Sequence, residues 1–294
     1  MVNYPGLNQQ QQRDLPELLK PASSFEAKFE DSTHQLWRCE TVDGPMVLKL
    51  CNQETVDNST FWQGMNGLFA TDFPASLADI DKVYHFVGEQ SVLTIPEYIA
   101  SEASSFVLAT YLDGDDIFSA DVSEVMVDQL ADHIAQLHQH RSVNWGAFHN
   151  AKFQPQKWSK SLQATLISLA NVHSTFIPDA ILEHALEQAA ESKNTIFSPI
   201  MMDLRWDQML HQQGQLSAIV DMDAFVIGPR ELELVLLEYQ LNAKQAERFK
   251  LSYQAFFKLP DLSEQRFCYR LLLFLMNSLG ETDIEKWMNA PIRW

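Results

Sequence analysis

Apolar positions in the first third of the chain recur every second residue, and those in the remainder recur at helical spacing. Phe25 to Phe29, Leu36 to Thr41 and Pro45 to Leu50 read as three short strands, with Asp31-Ser32-Thr33-His34 and Asp43-Gly44 as the turns. The pattern predicts an antiparallel meander whose last strand, Met46-Val47-Leu48-Lys49-Leu50, sets one lysine among apolar neighbours. Residues 60 to 90 predict two helices separated around Phe73-Pro74, because Leu77, Ile80, Tyr84 and Val87 fall on a helical period. Two more strands follow, around Leu93 to Ile99 and Phe106 to Leu112, and the second breaks at Asp113-Gly114.

Beyond that break the amphipathic segments are long: Val122 to His138, Lys157 to Val172, Pro178 to Ser192, Leu232 to Gln240, Ala243 to Phe257 and Ser263 to Leu279. Only Pro199 to Val226 interrupts them, with the apolar runs Met209-Leu210 and Leu216 to Val220 joined at Gln213-Gly214. The expected organisation is a glutamine-rich lead-in (1–22), a small sheet lobe (23–112) and a larger helical lobe (113–294), an α+β chain. There is no internal repeat.

With 294 residues, 46% of them hydrophobic, the chain has material for two lobes sharing a cleft. Met1 to Pro16 is polar and does not resemble a secretion signal, and Leu271 to Met276 is far shorter than the ~20 apolar residues a membrane helix needs. Cys39, Cys51 and Cys268, odd in number and at unrelated spacings, suit reduced, buried thiols in a cytoplasmic protein. A formal charge of −18 argues against a nucleic-acid partner, since such partners are held by clustered Lys and Arg. It attracts cationic small molecules and also simply keeps the chain soluble.

The most informative stretch is Met202-Asp203-Leu204-Arg205-Trp206-Asp207-Gln208-Met209-Leu210, followed by Ala218-Ile219-Val220-Asp221-Met222-Asp223. A loop carboxylate, a carboxamide five residues on, a short hairpin and a second carboxylate ending an apolar strand supply what phosphoryl transfer needs. The first carboxylate orients a hydroxyl and accepts its proton; the carboxamide and the second carboxylate hold Mg²⁺ against nucleotide phosphates. Each residue also has a plainer reading: Lys49 as a snorkelling edge-strand lysine, Asp203 as a turn cap, Asp221 as a solvated strand end, and Asp223 as structural. His138 suits a helix C-terminus, the set His133, His138 and His140 lacks further metal ligands, and Trp145, Trp158 and Trp206 read as packing.

This stretch resembles the His-Gly-Asp-Leu-His-Pro-x-Asn-x-Leu catalytic loop and Ile-Asp-Phe/Trp metal motif of the aminoglycoside phosphotransferase superfamily, which includes fructosamine and choline kinases. Asp203, Leu204, Leu210 and Asp221 agree; Met201-Met202 replaces His-Gly, and Gln208 takes the asparagine position. Val47-Leu48-Lys49 resembles the strand lysine that contacts phosphates, Ser32 to Trp37 the small-residue turn, and Phe106 to Gly114 the adenine-binding hinge. Leu130 to His138, Trp145-Gly146-Ala147-Phe148 and Trp158 resemble fructosamine kinase features, and Gly228-Pro229 through Glu233-Leu234 resembles the Gly-Asp-Pro-x-x-Asp-Leu stretch.

The resemblance implies a protein-kinase-like two-lobed fold and an ATP- and Mg²⁺-dependent kinase acting on a small-molecule hydroxyl, sugar-like, glycated-amine or aminoglycoside-like. Asp203 and Arg205 become catalytic, Lys49, Ser32, Thr33, Thr110, Tyr111 and Leu112 bind nucleotide, and Gln208 and Asp221 hold metal, with Asp207 or Asp223 able to complete the shell. There are departures: Glu30 to Gln35 has no glycine and carries Asp31, and Gly64 stands where a helix glutamate would pair with Lys49, leaving Glu54, Asp81 or Glu89 as substitutes. They frame the alternative, a catalytically degenerate module that binds nucleotide or a protein partner; nucleotidyl transfer is a third use of the same fold.

Overall fold

A computed structural model describes residues 2–26 and 32–294. The expected strand Phe25 to Phe29 and the Asp31 turn fall partly outside the described residues; within them the first strand is β1, Ser23–Ser24.

β2 (His34–Thr41) and β3 (Gly44–Cys51) form a hairpin in which His34 opposes Cys51 and Thr41 opposes Gly44. Gly44 sits at φ +110°, where a side chain is strained, and the Thr41 hydroxyl donates to its carbonyl at 2.7 Å. α1 (Gln53–Asn58), α2 (Thr60–Phe69), a 3₁₀ turn at 75–79 and α3 (Asp81–Gln90) follow, then β4 (Tyr98–Glu102) and β5 (Phe106–Thr110). The antiparallel sheet runs β1-β2-β3-β5-β4.

The two-residue period sends alternate side chains to opposite faces. Met46, Leu48, Phe106 and Leu108 pack with Cys39 against Tyr4, Leu7 and Leu18, whereas Val107 and Ala109 enter the main core. Lys49, opposite Val107, lies on the second face. Residues before Ser23 are thus part of the fold: Tyr4 is buried and its hydroxyl donates to Pro16 O at 2.7 Å, and Leu18 bridges to Thr41. The stretch Leu93 to Ile95, expected in the strand that proves to be β4, instead pairs alongside residues 217–219. Thr94 N donates to Ser217 O and Ile219 N donates to Thr94 O, both at 3.1 Å.

After the two-residue β6 (Asp115–Asp116), the rest is mainly helical: α4 (Glu124–Gln139), α5 (Trp158–Val172), α6 (Asp179–Glu191), α7 (Arg230–Gln240), α8 (Ala243–Tyr253), α9 (Arg266–Leu275) and α10 (Ile284–Met288). Among them run β7 (Trp145–Ala147), β8 (Asn150–Phe153), β9 (Ser198–Met201), β10 (Met209–Gln212), β11 (Gln215–Ile219) and β12 (Phe225–Gly228), in sheets ordered β8-β7-β12-β9 and β11-β10-β6. α9 is buried on every side from Cys268 to Leu275, and Arg270 within it meets Glu238 at 3.1 Å. Trp145 and Trp158 pack edge to face in the core, as expected, and the three cysteines are free. No helix among the described residues is long and apolar enough to cross a membrane.

Candidate active site

The β10–β11 hairpin sets the site. Its turn, Gln213-Gly214, has φ positive at both residues (52° and 77°), the tight connection that matches strand twist. Pairing of Met209 with Ile219, continued by Val220 N donating to Gln208 O at 3.0 Å, makes the loops carrying Asp203 and Asp221 emerge side by side. On the other flank β9 pairs with β12, and Met202 N donates to Ala224 O at 3.0 Å.

These loops face the second side of the five-stranded sheet across a cleft of about 1140 Å³. Ser32, Thr33, Lys49, Thr110, Tyr111, Leu112, Asp203, Arg205, Gln208 and Asp221 all line it. The sequence-derived candidates, spread over 190 residues, therefore converge. The Lys49 ammonium lies 2.8 Å from Asp221 Oδ1 and 2.7 Å from Asp223 Oδ2. Gln208 Nε2 donates to Asp203 Oδ2 at 3.0 Å, and Arg205 Nε sits 3.3 Å from Asp203 Oδ1 and 3.2 Å from Asp207 Oδ1.

The profile of the phosphotransferase enzyme family matches residues 29–267. The chain belongs to that family. Solved structures agree on the fold: a protein assigned as a fructosamine-3-kinase from Thermobifida fusca (15% identity, 96% of each chain, TM-score 0.66) and the macrolide 2'-phosphotransferase MphH from Brachybacterium faecium (14%, 97% of each, TM-score 0.62). The aminoglycoside phosphotransferase APH(2")-IIa, solved with streptomycin and ATP, shares 14% identity over 86% of this chain and 83% of its own, with a TM-score of 0.56. No curated protein matches the sequence.

The electrostatics of this family member's cleft follow from burial. Burial pushes Asp203 up to about 7, against the pull of Arg205 and with the Asp221 charge adding to the rise. Burial also works against ionised Asp221, but Lys49 outweighs it and holds that carboxyl well below its ordinary value, while Asp223 is raised by burial and by its neighbour Asp221. Lys49 is raised by its two carboxylates in spite of burial. His34, 3.7 Å from Asp223, is lowered to about 3 by burial and then by Lys49, so it is neutral at pH 7.

The oxygens left over suit a hard divalent cation. Asp221 Oδ1 takes both Lys49 and the Asp223 N–H, Gln208 turns its nitrogen to Asp203, and Asp223 Oδ1 is buried without a hydrogen-bond partner. No group of three His, Cys, Asp or Glu among the described residues could hold a metal ion alone.

Three expectations change. Lys49 is paired by neither Glu54, Asp81 nor Glu89, none of which lines the cleft; its second partner is Asp223, read from sequence as structural. Gly64 does not line the cleft: a Cβ there would meet Met276 Cγ at 2.6 Å and Leu169 Cδ1 at 3.3 Å, so glycine lets α2 pack closely. In the hinge, Thr110 N donates to Glu97 O and Tyr111 N to Pro45 O, both at 2.9 Å, so of the three hinge N–H groups Leu112 alone has no backbone acceptor among the described residues.

Sequence reasoning gave two contributors too little weight. Glu233 Oε1 accepts Met201 N at 2.7 Å, and its Oε2 lies 2.9 Å from His138 Nε2, whose Nδ1 meets Tyr253 Oη at 2.8 Å. This buried chain fixes the strand that leads into the Asp203 loop. Tyr84 of α3 is buried and lines the cleft next to Lys49, on the side where a helix acid was expected. Its signal was only a position on a helical period.

Proposed function

We propose that the protein is an ATP- and Mg²⁺-dependent phosphotransferase that moves the γ-phosphoryl group to a hydroxyl of a small molecule. The observation that carries this is the convergence of Lys49, Asp203, Gln208 and Asp221 on one cleft beside the hinge Thr110-Tyr111-Leu112 in a member of the phosphotransferase family.

Asp203 orients the acceptor hydroxyl and takes its proton as the oxygen attacks phosphorus and the bond from phosphorus to the leaving ADP oxygen breaks. Its raised value, about 7, makes it a better base than an exposed aspartate while still leaving an ionised fraction at neutral pH. Arg205, between Asp203 and Asp207, supplies positive charge where the phosphoryl oxygens gain negative charge. Lys49 binds nucleotide phosphates, the Leu112 N–H and nearby carbonyls take adenine, and Ser32 and Thr33 cover the phosphates. Asp221 and Gln208 would hold Mg²⁺, which would supply positive charge against the phosphates. The three free thiols fit a cytoplasmic location.

The clamped state of Lys49 favours a second reading, a binding module that has lost transfer. A panel of polyhydroxylated acceptors incubated with ATP and Mg²⁺ separates the two: ADP formed in step with a phosphorylated acceptor, and lost in Asp203→Asn, supports transfer. Bound ATP with no acceptor-dependent ADP supports the module.

A further inference from the structure

A second cavity, about 810 Å³, opens on the helical side of the catalytic loop and shares Arg205, Asp207 and Asp116 with the first. Its size is that of a small-molecule site. Trp206, Tyr239 and the exposed Phe118 give it aromatic lining.

The two arginines that line this cavity differ in their partners. Arg205 is spent on Asp203 and Asp207. Arg293 makes no side-chain ion pair or hydrogen bond among the described residues. Its Nε is buried without an acceptor, and only its backbone N–H is used, on Glu238. Asn242 and Gln245, at the N-terminus of α8, line the same cavity. Their carbonyl oxygens are committed to the reciprocal cap, which leaves their amide nitrogens as donors. A guanidinium without a carboxylate, two amide donors and the positive end of an eleven-residue helix favour an anion.

We infer that the acceptor carries an anionic group, a carboxylate or a phosphate, which Arg293 binds while the hydroxyl is presented to Asp203 in the adjoining cleft, with which this cavity shares Arg205 and Asp207. This rests on the phosphotransferase reading for its orientation and on the cavity alone for its charge preference. It predicts a sugar acid or similar hydroxylated anion as substrate in preference to a polyamine sugar, even though the chain as a whole is strongly acidic.

The test is equilibrium binding of glucuronate, glucose and glucosamine by calorimetry, in wild type, Arg293→Gln and Arg293→Lys, with ATP affinity and melting temperature measured on the same samples. A charge-assisted contact of this kind is worth roughly tenfold or more in affinity. Glucuronate is expected to bind at least that much more tightly than the other two. The preference should vanish in Arg293→Gln and partly return in Arg293→Lys, with melting temperature and ATP affinity unchanged. Equal binding of the three sugars, preference for glucosamine, or a glucuronate preference that survives Arg293→Gln overturns the inference, and ATP binding then still supports the phosphotransferase reading. Arg293-dependent capture of glucuronate by a protein that does not bind ATP leaves the anion subsite standing and removes the reading around it.

Discussion

Lys49 Nζ lies 2.7 Å from Asp223 Oδ2 and 2.8 Å from Asp221 Oδ1, so one buried ammonium is clamped by two carboxylates of a single loop. The partners of Lys49 thus come from the loop after β11 instead of from a helix of the sheet side. Burial and Asp221 raise Asp223, and where it is ionised two negative charges face one positive charge, a surplus that bound phosphates would have to overcome.

Asp223→Asn removes that surplus and keeps the Asp221 contact. The expected result is tighter metal-free ATP binding, by on the order of 1 kcal/mol or about fivefold in Kd, with little change in the urea midpoint. Weaker ATP binding in this variant would mean that Asp223 holds Lys49 in its working position.

Lys49→Met leaves two buried carboxylates without their cation. Breaking a buried pair in this way costs about 3 kcal/mol or more. Urea unfolding at pH 8 should register a drop of that size. Lys49 holds Asp221 below its ordinary value, so this contribution is present above the unfolded carboxyl value and lost as pH falls through the folded one. The difference between variant and wild type should therefore shrink in acid.

Asp203 gives the opposite sign. Burial raises it to about 7, so the folded state binds a proton that the unfolded state has released, and its stabilising effect is present below about pH 4 and lost as pH rises toward 7. Activity runs the other way, because a base must be ionised. Turnover at low acceptor concentration is expected to climb through pH 7 and level off above it, and the residual rate of Asp203→Asn should lack that limb. A flat wild-type profile from pH 5.5 to 8.5 would remove Asp203 from the role of base.

Glu233→Ala strands the Met201 N–H and the His138 ring in the interior. A loss of about 3 kcal/mol in unfolding free energy is expected, together with a large fall in turnover as the Asp203 loop loses its support. Glu233→Gln retains an acceptor for Met201 and should recover part of both.

The β2–β3 hairpin was legible because its residues alternate and Asp43-Gly44 supplies the turn, and the β10–β11 turn was legible from Gln213-Gly214. Collinear motifs singled out Lys49, Asp203, Gln208 and Asp221, which the fold brings to one cleft. β7 and β8 escaped notice because three or four residues around Gly146, at φ +134°, carry no period. Tyr4, Leu7 and Leu18 are too sparse in a polar stretch to announce burial, yet they cover one face of the sheet. The partner of Lys49 was hidden for another reason. A carboxylate 174 residues away can replace a helix glutamate only through tertiary structure, and Asp-x-Asp at a strand end looks the same whether its second member is solvated or buried.

The most direct measurement is a calorimetric titration of ATP into wild type, Lys49→Ala and Asp221→Asn, each with and without Mg²⁺. Binding by wild type that is strengthened by Mg²⁺, weakened in Lys49→Ala and no longer metal-dependent in Asp221→Asn is the expected result. No heat and no thermal shift with millimolar ATP in wild type, with or without Mg²⁺, would contradict the assignment of the cleft to nucleotide.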